Sequence, residues 1–98
     1  MKNNEIILEG TDISEESDVH RLLAEALNFG PYYGRNLDAL WDRLSTDTER
    51  PVKIIWLDSE LSKNRLGDRF EKILKIFERT KKQDIDFGWD ERFDYELR

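Results

Sequence analysis

The chain has 98 residues, no cysteine and a formal net charge of −6, from 16 basic and 22 acidic side chains. That length predicts one domain over residues 1–98, and the missing thiols exclude a disulfide framework and a thiolate metal site. The acidic balance argues against direct binding to nucleic acid or an anionic membrane and favours a basic protein as partner.

Charged residues make up 39% of the chain, above the typical ~25%, but the apolar residues are periodic, which predicts a folded domain rather than a disordered one. Glu5 to Glu9 reads as a short strand ended by Gly10. Ser14 or Ser17 is placed to cap a following helix, with Glu15, Glu16 and Asp18 at its positive end. Val19, Leu22, Leu23, Ala26 and Leu27 give that helix one apolar face, and Gly30-Pro31 stops it. Tyr32-Tyr33-Gly34 reads as a turn, and Asn36 as the cap of a second helix whose buried face is Leu37, Leu40, Trp41 and Leu44. Ser45 to Arg50 reads as a polar loop. Val52 to Leu57 is a near-continuous apolar run, the pattern of a strand covered on both faces. Asp58 to Gly67 looks irregular, with room for a short helix. Asp68 to Lys82 is a helix with Phe70, Ile73, Leu74 and Phe77 on one face. Ile85, Phe87 and Trp89 alternate with Asp86 and Gly88, predicting a third strand, and the tail from Asp90 to Arg98 either extends it or stays loose. The order β-α-α-β-α-β predicts a small α/β domain with a three-stranded parallel sheet packed with helices.

The opening Met1-Lys2-Asn3-Asn4-Glu5 lacks the apolar core of a signal peptide, and no run approaches the ~18 apolar residues of a membrane span. With no cysteine, this predicts a cytoplasmic protein without a membrane partner. The single histidine, His20, lies within the first helix and reads as a surface or packing residue. Metal binding by a histidine cluster is excluded by count, no phosphate-cradling or nucleophile motif is present, and no cofactor is implied.

The second helix carries Asp38 and Asp42 one turn apart. Like charges at this spacing repel by roughly 0.2–0.5 kcal/mol, so stability alone does not explain them. As isolated residues they fit a solvated surface. Together with Tyr32, Tyr33 and Trp41, residue types enriched at interface hot spots, they fit an anion display for a cationic cleft. Trp41 also sits at a core spacing, and one of the two tyrosines is expected to be buried. A small hydrolase using the two carboxylates as acid and base is a third reading.

The run Tyr32-Tyr33-Gly34-Arg35-Asn36-Leu37-Asp38-Ala39-Leu40-Trp41-Asp42, preceded by Ala26-Leu27-Asn28-Phe29-Gly30-Pro31, resembles the signature of the barstar family, the intracellular inhibitors of barnase-type ribonucleases. The resemblance reaches from about Ile6 to about Phe87 and is firmest in the middle. It implies a non-catalytic protein that plugs the active site of a basic ribonuclease or nuclease-like toxin domain, one to one. It implies Asp42 as the principal phosphate mimic and Asp38 as a second acidic contact, framed by Tyr32, Gly34, Asn36 and Trp41. The candidate partner-binding set is therefore Tyr32, Tyr33, Gly34, Asn36, Asp38, Trp41 and Asp42.

The chain also departs from the family pattern. Asp47 stands where the family has a Trp after this helix, Arg79 aligns with an interface acid late in the last helix, Arg35 replaces an acid, and the tail runs past the usual end. These departures imply a conserved central plug with a retuned rim. They also keep open a barstar-like fold reused as an interaction module with a non-nuclease partner.

Overall fold

The computed structural model describes residues 4–98; Met1 to Asn3, part of the signal-peptide reading, lie outside the described residues. Strand β1 spans Asn4–Glu9, helix α1 Glu16–Leu27, α2 Leu37–Asp42, strand β2 Val52–Leu57, α3 Ser59–Leu66, α4 Asp68–Asp86 and strand β3 Phe93–Leu97. The strands form one sheet in the order β1-β2-β3, parallel throughout, with Leu8 beside Trp56 and Ile54 beside Tyr95. This is the expected α/β class and sheet, with one more helix than the sequence pattern indicates.

One apolar cluster joins the sheet to the helices. Leu8, Val52, Ile54, Trp56 and Phe93 meet Val19 and Leu23 of α1, Leu40 of α2, Leu66 of α3, and Phe70, Ile73 and Phe77 of α4. Trp56 is its centre: the indole lies edge-on to Phe70 and Phe77 at 5.1 and 6.2 Å between centroids, and its N–H donates to the Ser62 hydroxyl at 2.9 Å. Gly10, at the end of β1, packs so close that a side chain there would run into the Leu57 and Asp58 carbonyl oxygens and the Ser62 hydroxyl. The covering of β2 is not symmetrical, as its apolar run suggests it should be. Ile55 is buried outside this cluster, between Ile7 and Glu96 of the neighbouring strands, and Ile7 itself is 48% exposed.

Local chemistry sets the helix ends. The cap of α1 is Glu15 rather than a serine, because the Asp18 carboxylate turns back to accept the Ser14 and Glu15 N–H groups at 2.8 and 3.2 Å. Those two bonds, the Ser14 one foremost, hold the Asp18 carboxyl below the usual range. Helix α1 stops at Leu27, before Gly30-Pro31, because Asn28 turns left-handed at φ 56°. Ala26, expected on the buried face, is exposed, and His20 takes a buried place instead. The expected loop at Ser45–Arg50 begins later than predicted. Helix α2 widens into a π-type turn over Arg43–Asp47, where Thr46 and Ser45 hydroxyls donate to the Asp42 carbonyl at 2.6 and 3.3 Å.

The third strand is the largest correction. Ile85 and Asp86 belong to α4, Phe87 and Gly88 form a turn, and β3 comes from the tail at Phe93–Leu97. The alternation Ile85-Asp86-Phe87-Gly88-Trp89 imitates a strand, yet its apolar members are exposed, Phe87 by 61%. The inward stripe of α4 does not end at Phe77; it continues through Thr80 and Asp84, both fully buried. The helix therefore runs on while its face changes from apolar to polar. Thr80 returns its hydroxyl to the Ile76 carbonyl at 2.8 Å. Asp84 accepts from Arg50 Nε and Nη2 at 2.7 and 3.1 Å and from the Phe93 N–H at 2.7 Å. No buried side-chain N or O among the described residues lacks a partner.

Asp84→Ala strands the Arg50 guanidinium in the interior. Removing one member of a buried pair costs about 3–5 kcal/mol, so urea unfolding of Asp84→Ala should show that loss, while Asp38→Ala on the surface should stay within about 0.5 kcal/mol of the parent.

Glu96 of β3 takes hydrogen bonds from Arg98 Nε at 2.6 Å and from Lys53 Nζ at 3.0 Å. Together they hold its carboxyl down at about 2, against 4.5 for an unperturbed glutamate. Because the folded value is the lower one, this contribution is complete above the unfolded value and is lost as pH falls towards 2. Thermal melts of Glu96→Gln should therefore converge with those of the parent at the acid end of that window and separate from them above pH 5.

Candidate partner-binding face

The candidate residues lie on one continuous unit, the loop after α1 and helix α2. Tyr33 is its anchor. The ring is only 7% exposed and packs on Phe29 at 4.8 Å between centroids, and its hydroxyl meets His20 Nδ1 at 2.6 Å. His20 Nε2 lies 2.7 Å from Glu16 Oε2. A carboxylate can only accept, so Nε2 carries the proton, and in the neutral ring Nδ1 accepts from the Tyr33 hydroxyl. Burial, then the Glu16 charge, pushes the Tyr33 phenol above its ordinary range. Glu16 also faces Arg69 of α4 at 3.7 Å. A short polar chain thus ties the loop to α1 and reaches α4.

With Tyr33 turned inward, its neighbour Tyr32 is turned out and is 90% exposed. Gly34 follows closely packed: a Cβ there would sit 3.2 Å from Ala39 Cβ. Arg35 takes a left-handed backbone, φ 55°, which swings the chain into the helix. Asn36 then caps α2, its Oδ1 accepting the Ala39 N–H at 2.7 Å.

Helix α2 buries Leu40, and Leu44 is buried in the turn beyond it; Leu37 and Trp41 are half-buried and Asp38 and Asp42 exposed. Asp38 sits in the first turn, at the positive end of the helix. Neither aspartate has an ion-pair partner among the described residues. Basic residues are close in the sequence, but Arg43 reaches Asp47 at 3.5 Å. The two charges are therefore presented to solvent uncompensated. Trp41 is covered on one side by Arg79 of α4, whose guanidinium carbon lies 3.9 Å from the ring centroid.

The structure thus brings Tyr32, Gly34, Asn36, Asp38, Trp41 and Asp42 to the surface of one short unit and withdraws Tyr33 from it. Tyr33 is in the candidate set on residue type alone, and its burial makes it an anchor of the loop. His20 gains a place that sequence reading did not give it, and Arg79, read from the chain only as a departure at the rim, gains a contact with Trp41. The clue to His20 is its i, i+4 spacing from Glu16. The contact of Arg79 has no local clue, because it meets Trp41 across 38 positions. Hollows of about 540 and 710 Å³ lie elsewhere, around Asn4, Asp47 and Val52 and around Arg50 and Trp89, and neither is lined by Asp38 or Asp42. No group of three or more His, Asp or Glu side chains among the described residues is placed to hold a metal ion, and no described helix is long and apolar enough to cross a membrane.

Fold and face together define a small α/β protein that presents an unpaired acidic helix at its surface. The family model for Barstar, described as barnase inhibitor, matches residues 3–96, and the chain belongs to the barstar family. It is also similar to a Bacillus subtilis (strain 168) protein named "Putative ribonuclease inhibitor YrdF", with 33% identity over 78 residues, 80% of this chain and 86% of the relative.

Tyr33→Phe removes the hydroxyl and leaves His20 Nδ1 buried without its donor. Unpaired buried groups cost about 1–3 kcal/mol, so the variant should lose that much in denaturant unfolding. Its Tyr32–Asn36 amides should exchange with solvent faster than those of α4.

Proposed function

We propose that this protein is a cytoplasmic, single-domain inhibitor that binds a basic ribonuclease or nuclease-like toxin domain one to one and blocks its active site. What supports this reading most is the pair Asp38 and Asp42, exposed and without cationic partners on helix α2, in a chain of a barnase-inhibitor family.

The physical account starts from the target. A ribonuclease cleft concentrates cationic side chains where the substrate phosphates bind. An acidic helix is steered towards such a cleft and excludes RNA once seated in it. In this reading Asp42 is the principal phosphate mimic and Asp38 the second. Tyr32 and the open edge of Trp41 frame them, and Gly34 and Asn36 set the approach of the loop and the pitch of the helix. Tyr33 and His20 contribute by holding the loop in its bound shape before binding, which lowers the ordering cost of association. Catalysis by the chain itself has no part in this mechanism.

The alternative is an interaction module with a non-nuclease partner. Arg79, which lies over Trp41, and Asp47 favour it, as departures from the family pattern at the rim of the face.

The test is RNA cleavage by a panel of basic barnase-type ribonucleases titrated with this protein. Stoichiometric inhibition is expected for at least one of them. Truncating one side of a desolvated charge pair at an interface costs about 2–5 kcal/mol, a range to which the barnase–barstar pair itself contributes. Asp42→Ala should therefore weaken inhibition by about 30-fold to several thousand-fold, and raised salt should slow association. Absence of inhibition across the panel by the folded protein, with capture of a non-nuclease from the cell, would replace this reading with the alternative.

A further inference from the structure

Arg79 is the exposed cation of α4 that faces the candidate face. Its guanidinium carbon lies 3.9 Å from the Trp41 ring centroid, and no carboxylate, carbonyl or hydroxyl among the described residues accepts a hydrogen bond from it. Lys82, one turn further on, is occupied by Asp86 at 3.0 Å. Beside Arg79 lies a groove of about 310 Å³ lined by Trp41, Arg79, Lys82, Gln83, Asp86 and the exposed Phe87; its one carboxylate, Asp86, is paired with Lys82. The groove adjoins the acidic face, because Trp41 lines it and lies three residues after Asp38, its neighbour on the surface of α2.

A partner seated on Asp38 and Asp42 also covers this edge. The guanidinium would then lose its water, and its N–H groups, which have no acceptor among the described residues, would need one from the partner. Covering those donors without acceptors is costly, and a carboxylate meets them with two parallel bonds. Resting on the inhibitor reading above, we infer that Arg79 is a specificity residue. The ribonuclease this protein recognises carries a carboxylate at the rim of its cationic cleft, which enters the Trp41–Phe87 groove and pairs with Arg79. The face therefore reads two signs: cations at the centre opposite Asp38 and Asp42, and an anion at the edge opposite Arg79. A nuclease with a cation at that rim position is rejected by like charge.

The experiment uses whichever ribonuclease of the panel the parent protein inhibits at the lowest concentration. Dissociation constants are measured for Arg79→Gln, Arg79→Glu and Asp42→Ala, with the fold of each variant checked by thermal melting. Arg79→Gln should weaken binding at least about tenfold, the worth of a charge-assisted hydrogen bond, and Arg79→Glu should weaken it further. Long-range electrostatics alone gives the opposite sign, because Arg79→Glu makes an acidic inhibitor two charges more negative towards a basic enzyme. Tighter or unchanged binding by Arg79→Glu, with Asp42→Ala still strongly impaired, overturns the rim carboxylate and leaves the inhibitor reading standing. No binding of any ribonuclease by the folded parent overturns both.

Discussion

The Asp84 carboxylate holds three distant parts of the chain at one point. It takes two N–H groups of Arg50, from the segment entering β2, and the backbone N–H of Phe93, where β3 begins. A fully buried charge is tolerated only when its lone pairs are met, and here they are. Both consequences concern the architecture. Helix α4 must run to Asp86 to deliver Asp84 to this point, and β3 must start where its first amide can reach the carboxylate. The sheet's third strand and the length of its last helix are thus tied to one ion pair as well as to the apolar cluster beside it.

That same helix length shapes the candidate face. Because α4 continues past Phe77 alongside α2, Arg79 comes to lie on Trp41, and the turn that follows leaves Phe87 in solvent near it. The central acids and the edge of the face therefore have different origins. Asp38 and Asp42 are displayed by a helix whose start is set within a few residues, by Asn36, Gly34 and the left-handed Arg35. The edge is supplied by an element far away in the chain. Such a division lets the edge change while the acids stay, since no side chain is shared between the two except Trp41.

The two tyrosines show how anchoring and display are separated. They are adjacent, yet one ring is locked among Phe29 and His20 and the other stands in water. The turn at Pro31-Tyr32 separates the two side chains, Tyr33 being tied inward and Tyr32 presented outward. The tie is polar as well as apolar, through His20 and Glu16. Directional bonds of this kind specify one loop conformation, where an apolar contact alone would allow several.

Much of this protein was determined by sequence over short range. Gly10, Asn28 and Asn36 end or start elements through their own backbone and side-chain chemistry, and the spacing of Val19 with Leu23, or of Phe70 with Ile73 and Phe77, declares helices facing a core. The run from Tyr32 to Asp42 was legible because its residues act within one loop and one helix. What only the tertiary structure decided has a common cause: polar residues in buried places. Helix α3 turns Ser59 and Ser62 inward with Leu66, so it lacks the apolar stripe that announces a helix. The end of α4 escaped for the same reason at Thr80 and Asp84, and the exposed Ile85, Phe87 and Trp89 supplied a false strand in its place. Buried polar groups are stable only through partners remote in the chain, such as Arg50 for Asp84, and no local pattern records those partners. The contact of Arg79 with Trp41 is hidden by the same distance: the chain marked Arg79 as a departure at the rim, but not the ring that it covers.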